Sequence, residues 1–215
     1  YISRTGNNNN INQFGGPDDA VLIFSPDLEF VTPVFVSTAT GFFRDYFKQP
    51  QALTTQINPP QRIDNNPGLS FIVCMADETQ PLQVKEIEVL SDENGISYRF
   101  VPSSPDPARS DDYLYRPNRF INPVDVKWAG TNTYFFILDE AKDSVFIFNN
   151  LKLEGVDPPP AAEDSRLINV SFGGMGSGVT QFNSPRALSF IDDILYVADA
   201  GNGRVLRFKL TTDIQ

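Results

Sequence analysis

Histidine is absent from the 215 residues, and cysteine occurs only once. Without imidazole, the chain cannot build Ser-His-Asp or Cys-His nucleophile pairs, or any metal site that relies on histidine. The lone thiol, Cys74, lies in the apolar run 71–76, which predicts a small buried residue that forms no disulfide within the chain. Apolar runs of the roughly 20 residues that a membrane-spanning helix needs are also absent. These absences exclude histidine-dependent catalysis and predict a chain without membrane insertion.

Positive charge is the next scarce feature. Asp and Glu number 27 against 17 Lys and Arg, so the net charge is -10, and the long-range field repels phosphate backbones and anionic membrane surfaces. The densest basic cluster, Arg204, Arg207 and Lys209, lies on one alternating stretch and is interpreted as the solvated face of a strand. We therefore expect no nucleic-acid partner. Hydrophobic residues at 40% and charged residues at 20% are typical of a folded globular chain.

A repeat of about 60 residues runs through the chain. One valine opens a strand in each copy, at separations of 63, 61 and 60 residues: Val21, Val84, Val145 and Val205. One aspartate ends the preceding strand in three copies, at separations of 62 and 60 residues: Asp77, Asp139 and Asp199. The copies show apolar alternation of period two and no helical spacing, which predicts an all-β radial array of short strands.

The last copy carries a specific motif. F-N-S-P-R-A-L, from Phe182, is followed by D-I-L-Y-V-A-D-A-G-N-G-R-V-L-R-F, from Asp193, and the glycine-rich F-G-G-M-G-S-G-V-T-Q precedes it from Phe172. This pattern resembles the NHL repeat of β-propellers. The resemblance implies a partial β-propeller domain over 1–215, with approximate repeats 1–46, 47–119, 120–181 and 182–215.

The number of blades follows from where the chain enters and leaves the repeat. It begins in a second strand and ends in a third, so it holds about three and a half NHL-like blades, whereas four to eight close a ring. The resemblance implies about six blades in total, and the remaining blades are expected upstream of Tyr1. A closure of four blades is the alternative, although it leaves one first strand missing.

The repeated residues have structural interpretations. The apolar runs Ile194–Ala198 and Tyr134–Leu138 predict inner strands that are buried on both faces. Asp139 and Asp199 are interpreted as side chains that hold the following turns, and the alternative is that they serve catalysis or metal binding. The glycine-rich segment 172–178 predicts a crossover between blades. Its alternative, a phosphate cradle, would require a following helix pattern, which is missing.

Three polar insertions depart from the repeat, at 7–18, 54–68 and 91–119. Loops on a rigid β scaffold are where binding usually resides. The third insertion mixes tyrosine, arginine and carboxylates, a composition that is common at protein contacts, and the alternative is a solvated spacer. Its candidate binding residues are Arg109, Tyr113, Tyr115 and Arg116.

Two classes of function are compatible with these patterns. The favoured prediction is a non-enzymatic extracellular or cell-surface β-propeller that binds a protein or other polymer through its loops, without cofactor, metal or catalytic residues. The alternative is a propeller hydrolase or lyase with calcium in a central channel, because carboxylate oxygens can bind calcium without histidine. Its candidate ligands are Asp125, Glu140, Asp192 and Asp193.

Overall fold

The chain is an all-β protein. A computed structural model describes residues 1–5, 19–38, 41–43, 46–57, 69–100, 114–129, 134–149, 155 and 170–209. Within these ranges there is no α-helix, only one 3-10 turn at Ala200–Asn202, and hence no helix that could cross a membrane. The strands form four separate sheets, none of which closes on itself. The predicted all-β class is therefore confirmed.

Sheets 1, 3 and 4 are antiparallel and are built from consecutive strands. Sheet 1 contains β1 (Ile2–Arg4), β2 (Ala20–Phe24) and β3 (Phe30–Pro33). Sheet 3 contains β10 (Pro123–Trp128), β11 (Tyr134–Asp139), β12 (Ser144–Asn149) and β13 (Ser171–Gly173). Sheet 4 contains β14 (Pro185–Ile191), β15 (Ile194–Asp199) and β16 (Arg204–Lys209).

Sheet 2 is the largest, with six strands in the order β5-β4-β9-β8-β7-β6. Its strands are β4 (Val36–Thr38), β5 (Gly41–Phe43), β6 (Pro50–Ile57), β7 (Leu69–Met75), β8 (Val84–Asp92) and β9 (Gly95–Phe100). Strands β4 and β9 pair in parallel, with Val36 opposite Tyr98. The insertion predicted at 91–119 therefore includes a strand, β9, because the two-residue turn at 93–94 folds it back onto β8.

The four sheets pack face to face in chain order, and each of the three interfaces has its own hydrophobic cluster. We call the face of a sheet toward the next sheet its front face and the opposite face its back face. In sheet 3, Phe135 and Ile137 of β11 pack backward with sheet 2, whereas Phe136 and Leu138 pack forward with sheet 4. Alternation along a strand thus supplies both interfaces of one sheet.

The landmark valine of each repeat lies on the front face of its sheet. Val21, Val84 and Val145 join the three successive clusters, with exposed fractions of 0%, 1% and 0%. Val205 holds the same position in sheet 4, but 67% of it is exposed. The front face of sheet 4 is therefore open. All four sheets of the stack have their front faces on the same side.

This open face corrects one prediction about the inner strands. Residues 135–139 of β11 are all buried, as predicted. In β15, buried and half-buried residues alternate, so the prediction that Ile194–Ala198 is buried on both faces is wrong. Leu195 and Val197 pack backward against sheet 3, while Tyr196 and Ala198 lie on the open front face.

One phenylalanine is wedged into each interface by the connection that leads to the next first strand. Phe47, Phe120 and Phe182 each stand three residues before the proline that opens β6, β10 or β14. All three are buried, and each belongs to a different hydrophobic cluster. Full burial of such a side chain is worth about 1.5–3 kcal/mol. The Phe-x-x-Pro motif thus joins neighbouring sheets.

Candidate functional site

The repeated polar residues gather at one end of the stack. At this end the second strands finish, at Met75, Asp139 and Asp199, and the first strands begin, at Pro50, Pro123 and Pro185. Asp77 lies two residues beyond β7, so the prediction that it ends this strand is wrong. We call it the aspartate end, and the opposite end the far end. The connections that lead from one sheet to the next also reach the aspartate end, so the candidate functional site lies at this end.

Asp199 organises the aspartate end of sheet 4. Its buried carboxylate accepts the backbone N–H of Asn183 at 2.7 Å, the side-chain amide of Asn202 at 2.8 Å and the Nε–H of Arg204 at 2.8 Å. Burial raises the pKa of Asp199, but these hydrogen bonds and the Arg204 charge outweigh it and hold the pKa below its ordinary value. Asp199 therefore joins the connection before β14 to the turn at Ala200–Asn202 and to β16.

Asp139 organises the aspartate end of sheet 3 in a similar way. Its carboxylate accepts the backbone N–H groups of Ile121 at 2.7 Å, Asn122 at 3.1 Å and Lys142 at 3.2 Å. It therefore holds both the following turn and the approach to β10. The predicted turn-holding role is confirmed for Asp139. Asp199 contacts the following turn through the side-chain amide of Asn202 and not through turn N–H groups. Asp77 is more local, because it accepts from the backbone and hydroxyl of Thr79, two residues away, and that hydroxyl bond lowers its pKa.

A second set of carboxylates joins one sheet to the next. Asp19, before β2, accepts the N–H of Gln49 at 3.0 Å, and Asp143, before β12, accepts the N–H of Ser184 at 2.7 Å. Gln49 and Ser184 both precede a proline and have φ of 47° and 46°. The same strained conformation recurs at two interfaces, where an acceptor from the preceding sheet stabilises it.

The glycine-rich segment connects β13 of sheet 3 to β14 of sheet 4, so the predicted crossover is confirmed. Arg204 holds its backbone by donating to the carbonyls of Ser177 at 2.8 Å, Gly178 at 2.7 Å and Gln181 at 2.9 Å. Asn202 donates to the carbonyl of Gly176 at 2.8 Å. The N–H groups of this segment bond within the protein: Gly174 donates to the carbonyl of Asp143 at 2.7 Å, Gly176 to that of Phe182 at 2.9 Å, and Gly178 to the side-chain oxygen of Gln181 at 3.0 Å. These N–H groups are therefore not arranged as a phosphate cradle.

Two large apolar side chains project from this secured loop. Met175 is 79% exposed and Val179 is 84% exposed. We call these two residues the apolar tip. Exposed apolar side chains on a fixed backbone bind with little loss of conformational entropy. The sequence analysis missed them, although a methionine and a valine within a Gly-rich segment were the available signal.

The four candidate residues of the third insertion are only partly described. Arg109 and Tyr113 lie outside the described residues. Tyr115 is buried in the interface between sheets 2 and 3, where its hydroxyl oxygen accepts the backbone N–H of Glu86 at 3.2 Å and its ring packs 5.0 Å from Phe100. Arg116 is exposed at the aspartate end. Tyr115 and Arg116 therefore differ in location, and only Arg116 lies on the surface.

A buried carboxylate lies beside Tyr115. The Glu86 side chain is on the front face of sheet 2 and accepts the Ser70 hydroxyl at 2.8 Å. It takes the position that Ile147 holds in sheet 3. A buried carboxylate needs such donors, because removing its charge from water is costly. The sequence analysis missed Glu86, which looks like any polar residue of an alternating strand.

The proposed calcium ligands are separated in the structure. Asp125 accepts the backbone N–H of Leu188 at 2.8 Å and so ties β10 to β14. Glu140 pairs with Arg186 at 2.7 Å at the aspartate end. Residues 192–193 form the turn between β14 and β15 at the far end, with φ of 49° and 61°. Within the described ranges, no three carboxylate or thiol side chains are grouped to hold a metal ion.

Lys85 is the lysine, among the described residues, whose pKa departs most from its ordinary value. It lies on β8, and its Nζ is 4.2 Å from the ring centroid of Tyr46. Burial lowers the pKa of Lys85 to about 8. Burial also raises the pKa of the Tyr46 hydroxyl, so the cation faces a neutral ring.

Comparison with known proteins adds no relative, because neither a family model nor a curated protein matches this chain.

Proposed function

We propose that the four sheets are successive NHL-like blades of a β-propeller, and that the chain is a non-enzymatic scaffold that binds a protein partner at the aspartate end. The 60-residue spacing, the wedge phenylalanines and the front-to-back stacking support the blade interpretation. An extracellular or cell-surface location belongs to the same proposal and is supported only by the resemblance to NHL-repeat proteins.

The observation that carries the proposal is the apolar tip. Met175 and Val179 expose 79% and 84% of their surface on a backbone that Arg204 holds through three carbonyls. Solvated loops seldom place two large apolar side chains on a rigid support, whereas interface hot spots do. Arg116 lies at the same end of the stack, on the connection that precedes β10. The binding surface therefore combines two neighbouring connections.

The recurring carboxylates support a scaffold more than an enzyme. Asp139 and Asp199 are fully buried, and backbone and side-chain donors occupy their oxygens. Asp125 likewise bonds to backbone N–H groups of two strands. A catalytic carboxylate needs to reach substrate, so these side chains are poorly placed for such work.

The test uses a phage-displayed random peptide library as the probe, because selected peptides report the surface best suited to protein contact. Peptides selected on the wild-type chain should lose at least about tenfold in affinity for a Met175→Ser, Val179→Ser double variant. A second variant, which lacks residues 105–112 but keeps Tyr115, should also weaken them. Leu28→Ser is the matched control, since Leu28 is 77% exposed but lies at the far end.

The proposal fails if the selected peptides bind both aspartate-end variants as well as wild type, or if Leu28→Ser alone weakens them. Melting temperatures accompany every affinity, and all these substitutions of exposed side chains should leave them within about 1 °C. Calcium supplies a separate check. Adding calcium chloride should leave the melting temperature unchanged, whereas a chelator-reversible increase would favour the hydrolase or lyase.

A further inference from the structure

Every interface in the stack joins the front face of one sheet to the back face of the next. Val145 of sheet 3, for example, packs forward in the cluster that contains Leu195 and Val197 of sheet 4. Val84 of sheet 2 likewise packs forward with Phe135 and Ile137 of sheet 3. The described stack therefore ends in two faces of opposite type: the front face of sheet 4 and the back face of sheet 1.

The front face of sheet 4 has the composition of a face that is normally covered. Its landmark Val205 is 67% exposed, against at most 1% for its three counterparts. Ile194 and Tyr196 of β15 share this face, and Ile191 of β14 is opposite Ile194. Val205 and Ile191 are exposed, and Ile194 and Tyr196 between them are half-buried. Such a group of uncovered apolar side chains is unusual on a solvated sheet.

The back face of sheet 1 is also exposed at a position that is buried in the other sheets. The back-facing position two residues before the end of the second strand is 0% exposed in sheets 2, 3 and 4, at Val73, Ile137 and Val197. Ile2 holds this position in sheet 1, and it is 49% exposed. Leu22 on the same face is already buried, so the open part consists of Ile2 and the ring pair Phe24 and Phe30.

The charges at the far end of these two faces are complementary. Arg207 and Lys209 are exposed on the front face of sheet 4, toward the far end of β16. Asp27 and Glu29 are exposed in the turn between β2 and β3, at the far end of sheet 1. If the stack continued with the same polarity, these charges would meet. Opposite charges at corresponding positions favour one orientation of docking.

We propose that a second copy of this chain docks head to tail, so that the front face of sheet 4 in one copy covers the back face of sheet 1 in the other. Such contacts are heterologous, and two copies that make both contacts close into a ring. The ring would contain eight sheets, twice the four observed, which is within the range of about four to eight for closed radial arrays. Further blades of a longer chain are the competing occupant of the same face.

The test measures mass in solution by light scattering and sedimentation. The wild-type chain should form a dimer whose population rises with concentration. Val205→Asp places a charge on the front face of sheet 4, and Ile2→Asp places one on the back face of sheet 1. Each change prevents one of the two surfaces from docking, so each variant alone should be monomeric. An equimolar mixture should recover dimers, because the front face of the Ile2→Asp copy remains able to bind the back face of the Val205→Asp copy.

The monomeric state of Ile2→Asp alone separates head-to-tail docking from symmetric front-to-front docking, in which this variant would still dimerise through its intact front face. Val179→Asp is the matched control: it places a carboxylate at an equally exposed valine on the aspartate end and should leave the dimer intact. A wild-type chain that is monomeric at every concentration would overturn the proposal and favour blades of a longer chain. Loss of the dimer in Val179→Asp, or failure of the mixture to recover it, would overturn it too.

Discussion

At the scale of single residues, the acidic groups that recur in the sequence act on the backbone. Asp139 and Asp199 could be found from the repeat, because they recur 60 residues apart at the ends of corresponding strands. Their partners could not be found, since Ile121 and Asn183 precede them by 18 and 16 residues in connections without regular structure. Glu86 and Tyr115 were unpredictable for a related reason, because their burial depends on the packing of sheet 3 against sheet 2.

Asp199→Asn should destabilise the chain by about 1.5–3 kcal/mol at pH 7, since it weakens hydrogen bonds to a charged acceptor. The folded pKa of Asp199 lies below its unfolded value, so its contribution is complete above about pH 4 and is lost as the pH falls through the folded pKa. Urea unfolding at pH 7, 5 and 3 measures this. A difference between wild type and variant that does not shrink at pH 3 would contradict the assigned role.

Lys85→Met should stabilise the chain by about 1–3 kcal/mol at pH 7, because it removes a half-buried charge whose pKa is lowered by burial to about 8. Between about pH 8 and 10.5 the unfolded chain binds more protons at Lys85 than the folded chain. Wild-type stability therefore gains on the variant as the pH rises. Cys74 and Tyr46 titrate in both proteins and cancel in the difference. A constant difference from pH 7 to 10 would refute this account.

At the scale of elements, the connections matter as much as the strands. Apolar alternation predicted strands at 134–138 and 194–198, and both form, because local patterning largely decides such segments. The parallel pairing of β4 with β9 was not predictable. It joins Val36 to Tyr98 across a distance of about one repeat length, and strand propensity carries no information about a partner so distant in sequence.

The wedge phenylalanines give the sharpest prediction at this scale. Phe182→Ala should cost about 3–5 kcal/mol, because it leaves a cavity between sheets 3 and 4. Phe30→Ala, at an exposed position on β3, is the control and should cost under about 1 kcal/mol. Thermal unfolding ranks the two variants, and hydrogen exchange should show the loss of protection in β12 and β15 before β7. Equal destabilisation by the two variants would show that Phe182 does not act as a wedge.

At the scale of the whole molecule, the described sheets form a stack in which every front face points the same way, with one exposed face at each end. The repeat spacing predicted which residues correspond and that the ring is incomplete, but not which side chains of sheet 4 would be exposed. That difference became visible only from burial, since Val205 and Val145 have the same residue type and similar sequence surroundings. The exposed Val205 and Ile2 support the proposed head-to-tail docking, and the apolar tip supports the proposed binding of a protein partner.

Thiol labelling of the four landmark valines tests the stack most directly. Each valine is replaced by cysteine in turn in the Ile2→Asp chain, which keeps the proteins monomeric, and the native rate of reaction with a maleimide is measured. The parent is the blank, because its only thiol, Cys74, is fully buried and burial raises its pKa. Cysteine at 205 should react within minutes, as an exposed thiol does, while cysteines at 21, 84 and 145 should react only as fast as the blank. Comparable rates at 145 and 205 would contradict the front-to-back stacking of the sheets.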